Sequence, residues 1–428
     1  MHFLGGLYMD YKKLVVSTDS LIDRLFQFIP GRQSEHKKFI SEMILGILGA
    51  RSVLLSNISR FLAEPIPFIH TEQRISKFLY KKQVPWSDLK LRCCELGSFQ
   101  LQKDDTIAFD PGDLVKDYAE KMENLYRVHD GSEDDCGNGY EDFCAEGVQW
   151  VNGNRFQIPL YQRLSNARCP DYRSQNHQII EAIQVIHEYV RDKGIWTFDR
   201  GHDRSRIFTN ALFRLDIRWI IRAKENRAVI PEDPKYLMPL KYQPGLFDIV
   251  SKIKLTDQPL RLTFPQKSGE LHVGWTRVKL TIDPDERWIT VVVVHDKRNE
   301  KPVVLLTNLE VHNDLEATLI FGRYLERWRK EEGFRFCKSY LNTESIRTLS
   351  FNSISNLAWL AHLTYYFITL FYKGSPEQVL SEIKKRLKHF NSVDEIGYRY
   401  YRVADVMRIL LWEQMGKPVS SLTFTEVG

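Results

Sequence analysis

The chain has 428 residues, of which 43% are hydrophobic and 27% are charged, with six cysteines and a formal net charge of +5. The recurring apolar segments exclude an intrinsically disordered chain, and the sparse cysteines exclude a disulfide-rich secreted scaffold. The small positive charge permits a polyanionic partner. Because no two cysteines have the close CxxC spacing of a zinc site, we expect free thiols and no structural metal.

Residues 1–95 are predicted to be all-helical. Apolar residues at helical spacing mark Phe39–Leu48 and Val53–Leu62, and Pro65 and Pro67 end the second helix. Thr71–Lys82 predicts a third, basic helix with its first residue as the N-cap. Two short helices, a turn and a basic helix resemble a helix-turn-helix DNA reader, and a plain helical bundle is an equally good interpretation.

Residues 96–227 alternate predicted strands and helices, which favours an α/β fold. Thr106–Asp110 and Gly194–Asp199 predict strands that each end on a carboxylate. Gly147–Pro159 predicts two strands joined by an Asn-Gly turn at 152–153. Residues 129–146 are rich in Asp and Glu and contain no Lys or Arg, which predicts a solvated acidic loop. Such a loop would not be expected on a surface that binds DNA.

Residues 228–312 change to a β-rich pattern. Four runs, at 259–264, 271–283, 287–296 and 302–310, predict an antiparallel sheet inserted into the α/β region. Trp275 and Trp288 lie in this segment, and we interpret both as core residues.

Helices are predicted to resume after the β-rich segment, at 316–336, 345–372, 376–389 and 403–415. The most apolar stretch, Leu357–Tyr372, is slightly short for a membrane span and contains a His and three Tyr. It therefore predicts a buried core helix. We expect a cytoplasmic protein with no membrane partner.

The segment from Tyr324 to Lys338 predicts a helix with a functional face, provided that the helix continues through Gly333. At about 100° per residue, one polar stripe about 60° wide contains Tyr324, Arg327, Glu331 and Lys338. The adjoining apolar stripe, expected to pack into a core, contains Phe321, Leu325, Trp328 and Phe336. A carboxylate among two cations and a phenol, next to a core-facing flank, favours a site over a solvated charged face.

The two strand-end carboxylates complete this candidate site. Ligands bind at strand ends in α/β sheets, so Asp110 and Asp199 would share a cleft if their strands are neighbours. With Glu331 they offer three hard oxygen donors, which suit two Mg²⁺ or Mn²⁺ ions. Two such ions clamp the attacking and leaving oxygens of a phosphoryl transfer. Taken separately, each Asp is equally consistent with a turn former.

Tyr324, Arg327, Glu331 and Lys338 match the Y-x2-R-x3-E-x6-K signature of bacterial insertion-sequence DDE transposases. The chain resembles the insertion-sequence-four family, to which the Tn-five transposase belongs. The run Asp199-Arg200-Gly201-His202-Asp203 resembles that family's second motif, and Asp110, ahead of a Pro-Gly turn, resembles the first. The predicted segments follow the family's order over most of the chain.

The resemblance implies an α/β, RNase H-like (retroviral integrase-like) catalytic core with a β-rich insertion, a helical N-terminal DNA-binding region and a helical C-terminal region. The implied parts are a DNA-binding domain at 1–95, the first part of the core at 96–227, the insertion at 228–312, the catalytic Glu helix of the core at 313–345 and the C-terminal region at 346–428. Residue roles follow from the matching motifs. The implied catalytic and metal-binding triad is Asp110, Asp199 and Glu331. The implied contacts to DNA are Tyr324, Arg327 and Lys338, and the implied supporting residues are Arg200 and Asp203.

The resemblance also implies a reaction and partners. Two Mg²⁺ or Mn²⁺ ions would support cleavage at transposon ends, and the freed 3′-OH would attack target DNA without a covalent protein–DNA intermediate. The partners would be double-stranded DNA, as terminal inverted repeats and as target, and a second copy of the chain in a synaptic homodimer. Two alternatives stay open: an RNase H-like nuclease that does not join strands, and a domesticated DNA-binding protein that uses only residues 1–95. The three matching carboxylates favour an enzyme.

Overall fold

One mixed sheet organises the chain. A computed structural model describes residues 10–30, 33–130, 135–224, 226–233, 245–264, 267–282, 285–296, 301–387 and 399–416. Within these ranges, eleven strands form a single, mostly antiparallel sheet, and many helices accompany it. The predicted α/β class is therefore confirmed at this level.

Helices precede the sheet, as predicted for residues 1–95. They are α1 (Tyr11–Phe26), α2 (Ser34–Ala50), α3 (Leu55–Leu62), α4 (Phe68–Tyr80) and α5 (Trp86–Ser98). Pro65 and Pro67 separate α3 from α4. The prediction of Thr71 as an N-cap is wrong, because α4 begins at Phe68. Thr71 is instead a buried interior residue whose hydroxyl donates a hydrogen bond to Glu64 at 2.6 Å.

The eleven strands of the sheet pair mostly in the antiparallel sense. They are β1 (Thr106–Val115), β2 (Tyr126–Asp130), β3 (Asp135–Val151), β4 (Asn154–Ser165), β5 (Ile195–Phe198), β6 (Trp219–Arg222), β7 (Val229–Pro231), β8 (Leu260–Phe264), β9 (Lys267–Ile282), β10 (Asp285–Asp296) and β11 (Val303–Thr307). Their order is β2-β3-β1-β5-β6-β11-β10-β9-β7, with β4 also paired to β3 and β8 to β9. The β1–β5 and β5–β6 pairs are parallel, and the other pairs are antiparallel.

The acidic run at 129–146 differs from its prediction. Apart from residues 131–134, which lie outside the described residues, it belongs to β2 and β3 and not to a solvated loop. Glu146 is 1% exposed and is neutralised by Lys330. The predicted Asn-Gly turn is confirmed, since Asn152 and Gly153, with φ of +49° and +74°, connect β3 to β4.

The β-rich segment forms the antiparallel strands that its sequence predicts. Strand β11 pairs with β6, so β8 to β11 extend the same sheet. The interpretation of both tryptophans as core residues is wrong for Trp288, which is 46% exposed. Trp275 is half-buried and packs against a smaller apolar cluster that includes Val273 and Phe321.

The remaining described helices are α6 (Gln175–Val190), α7 (Ser205–Ile207), α8 (Leu246–Val250), α9 (Asp314–Leu325), α10 (Trp328–Arg335), α11 (Phe351–Gly374), α12 (Pro376–Arg386) and α13 (Tyr400–Gln414). The segment predicted as one helix over 316–336 is divided between α9 and α10. A π-helix, Phe336–Tyr340, follows α10 directly, and a second one, Phe208–Phe213, follows α7.

Helix α11 confirms the predicted buried core helix. Nearly all of its side chains are buried, and the Ser350 side chain caps its N-terminus. It packs against α2, α4, α13 and β4, which explains why it is apolar around its circumference. Among the described residues, no single helix has the length and apolarity of a membrane span, and α2 with α3 reaches them only as a pair bent by 98°.

Candidate active site

The pairing of β1 with β5 brings two predicted carboxylates together. Residues 106–108 of β1 pair in parallel with 195–197 of β5, so Asp110 and Asp199 follow the paired residues of neighbouring strands in the same direction. Asp110 lies within β1, which continues to Val115, and Asp199 follows the last residue of β5. One ligand atom each from Asp110, Asp199 and His202 lies within 4.8 Å of the others, which is close enough to hold a metal ion.

His202 is a site residue that the sequence analysis missed. A short 3₁₀-helix, Arg200–His202, begins after Asp199 and returns the imidazole to it, with Nδ1 2.5 Å from Asp199 Oδ1. Because a carboxylate only accepts, Nδ1 donates this bond. The ring packs against Phe109 and Phe198, with centroids 5.6 and 5.2 Å away. The available signal was a histidine three residues after Asp199 in the matched motif.

The two carboxylates have opposite electrostatic environments. Burial, together with repulsion from Asp199, raises the pKa of Asp110 to about 6. Burial also acts to raise the pKa of Asp199, but the hydrogen bond from His202 and the charge of Arg327 outweigh it and lower that pKa to about 2. A cation between the two carboxylates would relieve their repulsion.

Arg327 connects the third predicted carboxylate to the first. Its Nη1 donates to Asp110 Oδ2 and its Nη2 donates to Glu331 Oε1, both at 2.9 Å. The side chain is 8% exposed, and the guanidinium lies 5.9 Å from the ring centroids of Tyr324 and Trp328. Burial would lower the pKa of Arg327, but the surrounding carboxylates raise it, so this residue is a permanent cation. Glu331 lies outside the three-residue group of Asp110, Asp199 and His202.

The predicted polar stripe is only partly retained. Gly333 lies inside α10, but hydrogen bonds of the i to i−3 type tighten the chain between Tyr324 and Lys330. Tyr324 is buried in the smaller apolar cluster, whereas Trp328, predicted to pack into a core, is 53% exposed. Lys338 lies in the π-helix after α10, where its ammonium contacts Asp113 at 2.6 Å and Glu344 at 3.2 Å.

The two residues predicted to support the site differ in their surroundings. Asp203 is fully buried and accepts hydrogen bonds from the Lys224 backbone N–H at 2.7 Å and from the Arg227 side chain at 2.8 Å. It therefore fixes the chain that follows β6. Arg200 is exposed on the 3₁₀-helix beside Asp199.

A comparison with known families finds one matching model, described as Transposase DDE domain, over residues 155–367. The matched region is about half of the chain and contains Asp199 and Glu331, whereas Asp110 precedes it. A search of curated proteins finds no match. The family match supports a DDE transposase as the identity of this chain.

Proposed function

We propose that the protein is a cut-and-paste transposase of the insertion-sequence-four family. It cleaves DNA at transposon ends and joins the freed 3′-OH to a target phosphate, from which the target's own 3′-oxygen departs. The observation that carries the proposal is the meeting of Asp110 and Asp199 from adjacent parallel strands, with Arg327 linking Asp110 to Glu331.

The order of strands supports an RNase H-like core for this function. Strands β4, β3, β1, β5 and β6 are successive neighbours, with β1, β5 and β6 parallel and β3 antiparallel to both of its neighbours. We assign residues 96–227 and 313–345 to the core and 228–312 to its β-rich insertion. Residues 1–95 are the DNA-binding domain, in which α3 and α4 form the helix-turn-helix, and 346–428 are the C-terminal region.

The residues present fit a divalent metal ion. Asp110 and Asp199 offer oxygen donors and His202 a nitrogen, a set that suits Mn²⁺ and, through the oxygens, Mg²⁺. The Nε2 atom of His202 is buried without a hydrogen-bond partner among the described residues. Two bound ions, held by Asp110, Asp199 and Glu331, would supply Lewis-acid stabilisation of the attacking and leaving oxygens.

The cations of the site act on the DNA. Arg327 and Lys338 bind phosphate oxygens of the transposon end, and Tyr324 orients Arg327 through its ring. In the DNA-free protein both cations contact carboxylates, so phosphates would replace these partners. Arg200, exposed beside Asp199, supports the same strand of DNA.

The reaction joins two transposon ends, so the active assembly is a homodimer on two terminal inverted repeats, formed on the bacterial nucleoid in the cytoplasm. Each protomer would supply its own carboxylate site, because Asp110, Asp199 and Glu331 lie in one chain.

A cleavage assay tests the proposal. The protein is incubated with Mg²⁺ or Mn²⁺ and labelled DNA that carries the inverted repeats flanking its gene, beside Asp110→Ala, Asp199→Ala and Glu331→Ala. We expect metal-dependent cleavage at the repeat boundary, loss of cleavage in all three variants and retention of end binding. The control is Glu332→Ala, which removes the next carboxylate of α10, paired with Arg329. Cleavage in all three variants would refute the site.

The same assay separates the two alternatives. Cleavage without transfer of the 3′ end to target DNA would identify a nuclease. Specific binding of the repeats without any cleavage would identify a DNA-binding protein.

A further inference from the structure

A second charged pair lies in the interior beside the candidate site. The ammonium of Lys330 is 3.1 Å from Glu146 Oε1, and each residue is 1% exposed. The Tyr365 hydroxyl donates a hydrogen bond to the other oxygen of Glu146 at 3.4 Å. The pair therefore connects α10 with β3 and with α11.

The Lys330–Glu146 pair lies next to both the strand that carries Asp110 and the helix that carries Glu331. Glu146 lies on β3, two register positions from the residue that faces Asp110 across the β1–β3 pair. Lys330 immediately precedes Glu331 in α10. One ion pair thus joins the strand beside Asp110 to the helix that carries Glu331.

Helix α10 packs closely against the carboxylate of Glu146. A Cβ atom on Gly333 would be 2.3 Å from Glu146 Oε1, so only glycine fits this position without a shift of the carboxylate. The Lys330 ammonium also lies 3.5 Å from the centroid of the Phe334 ring. Lys330 is therefore fixed from two sides, and the first turn of α10 is fixed with it.

Burial of two charges costs more free energy than packing apolar residues of the same volume, so this pair is a poor way to gain stability alone. The pair instead fixes the position of α10 relative to β3, because an ion pair with defined hydrogen bonds has one favourable arrangement. Asp110 and Asp199 are positioned by sheet pairing. Glu331 comes from a short helix, and its position depends on how that helix is held.

We propose that Lys330 and Glu146 are positioning residues that hold the Glu331 carboxylate in place relative to Asp110 and Asp199. The inference rests on the proposed function. Neither residue touches DNA or metal in this role; both act through the placement of α10.

The test uses the full-length protein and a neutral double variant, Lys330→Met/Glu146→Gln, which leaves no uncompensated charge at the pair. Asp142, the nearby carboxylate, loses the charge of Lys330 in this variant and keeps its hydrogen bond from Gln162 at 2.7 Å. The matched control is Arg329→Met/Glu332→Gln, which neutralises an ion pair whose two partners both lie in α10.

Three quantities are measured at a temperature where every variant is folded: kcat for end cleavage, the half-saturating DNA concentration, and Mn²⁺ affinity of the DNA-free protein by electron paramagnetic resonance. A displacement of about 1 Å at a catalytic group lowers rates by about 100-fold, so we expect that loss in kcat with an unchanged half-saturating DNA concentration. Mn²⁺ affinity falls as well, and the control variant matches the wild-type protein.

Retention of kcat and Mn²⁺ affinity in the double variant would overturn the proposal, as would equal losses in the control. If the wild-type protein does not cleave, the proposed function fails, and the comparison of Mn²⁺ affinity alone decides the positioning role. If the double variant does not fold, the same three measurements are made on Lys330→Arg, which keeps a positive charge at this position on a side chain of different length.

Discussion

Removal of the Arg327 side chain is predicted to have opposite effects on metal binding and on catalysis: metal affinity should rise and DNA cleavage should be lost. Its guanidinium joins Asp110 to Glu331 through two hydrogen bonds of 2.9 Å. A cation that takes the Asp110 Oδ2 or the Glu331 Oε1 atom as a ligand displaces at least one of these bonds. A hydrogen bond to a charged group contributes about 1.5–3 kcal/mol, which corresponds to about 10- to 150-fold in affinity. Arg327→Ala should therefore bind Mn²⁺ at least about tenfold more tightly in the absence of DNA.

Isothermal titration calorimetry with MnCl₂ measures this affinity directly. Arg327→Ala should at the same time lose DNA cleavage, because the phosphate contact proposed for this guanidinium would be gone. It should also unfold more readily without metal, since it leaves the buried Asp110 without its cation, and Mn²⁺ should restore stability. Arg335→Ala, which removes an exposed cation of the same helix, serves as the control. An affinity equal to or weaker than that of the wild-type protein would refute the competition between guanidinium and metal.

Three further predictions follow from the fold and its charges. Leu360 is fully buried in α11, so Leu360→Ala should lower the free energy of unfolding by about 2–5 kcal/mol in urea titrations, whereas Leu319→Ala, exposed in α9, should not. Burial raises the pKa of Asp405 to about 6, above its unfolded value, so its contribution to stability is present at pH 4 and lost as the pH rises to 6. Asp405→Asn should remove this loss. The free energy of unfolding of the variant, relative to that of the wild-type protein, should therefore be about 1–2 kcal/mol higher at pH 8 than at pH 5. A difference that does not change with pH would contradict the assignment. Affinity for repeat DNA should fall steeply and linearly with log salt concentration, and a salt-insensitive complex in filter-binding assays would argue against phosphate contacts.

Local sequence patterns were sufficient where structure depends on neighbours along the chain. The apolar spacing of α2, α3 and α11, and the Asn-Gly turn between β3 and β4, were predicted at nearly their observed places. The predicted strand end was correct for Asp199, which follows β5, and wrong for Asp110, because β1 continues through the Pro-Gly pair to Val115. That these strands are neighbours was only a condition in the sequence argument, because pairing joins residues about 90 positions apart.

Sequence patterns led to wrong predictions where the surroundings of a segment depend on features that its own pattern does not contain. The acidic run contributes to β2 and β3, where the buried Glu146 is neutralised by Lys330, 184 residues away in the chain. The helical projection misplaced Trp328 because i to i−3 bonds near Arg327 turn the chain by about 120° per residue in place of about 100°. His202 was missed because the short helix that returns it to Asp199 is not visible in an apolar pattern.

The burial of α11 has a consequence for the order in which the chain acquires structure during synthesis. Helices α1, α2, α4 and α5 all pack on a segment that ends at Gly374. At about 5–20 residues per second, the ribosome completes that segment roughly 15–55 s after α5. During this interval the N-terminal helices expose the apolar faces that α11 later covers, which makes the nascent chain a substrate for chaperones. A fragment ending near residue 95 would keep those faces exposed permanently, so the DNA binding proposed for the N-terminal region has to be tested with all 428 residues present.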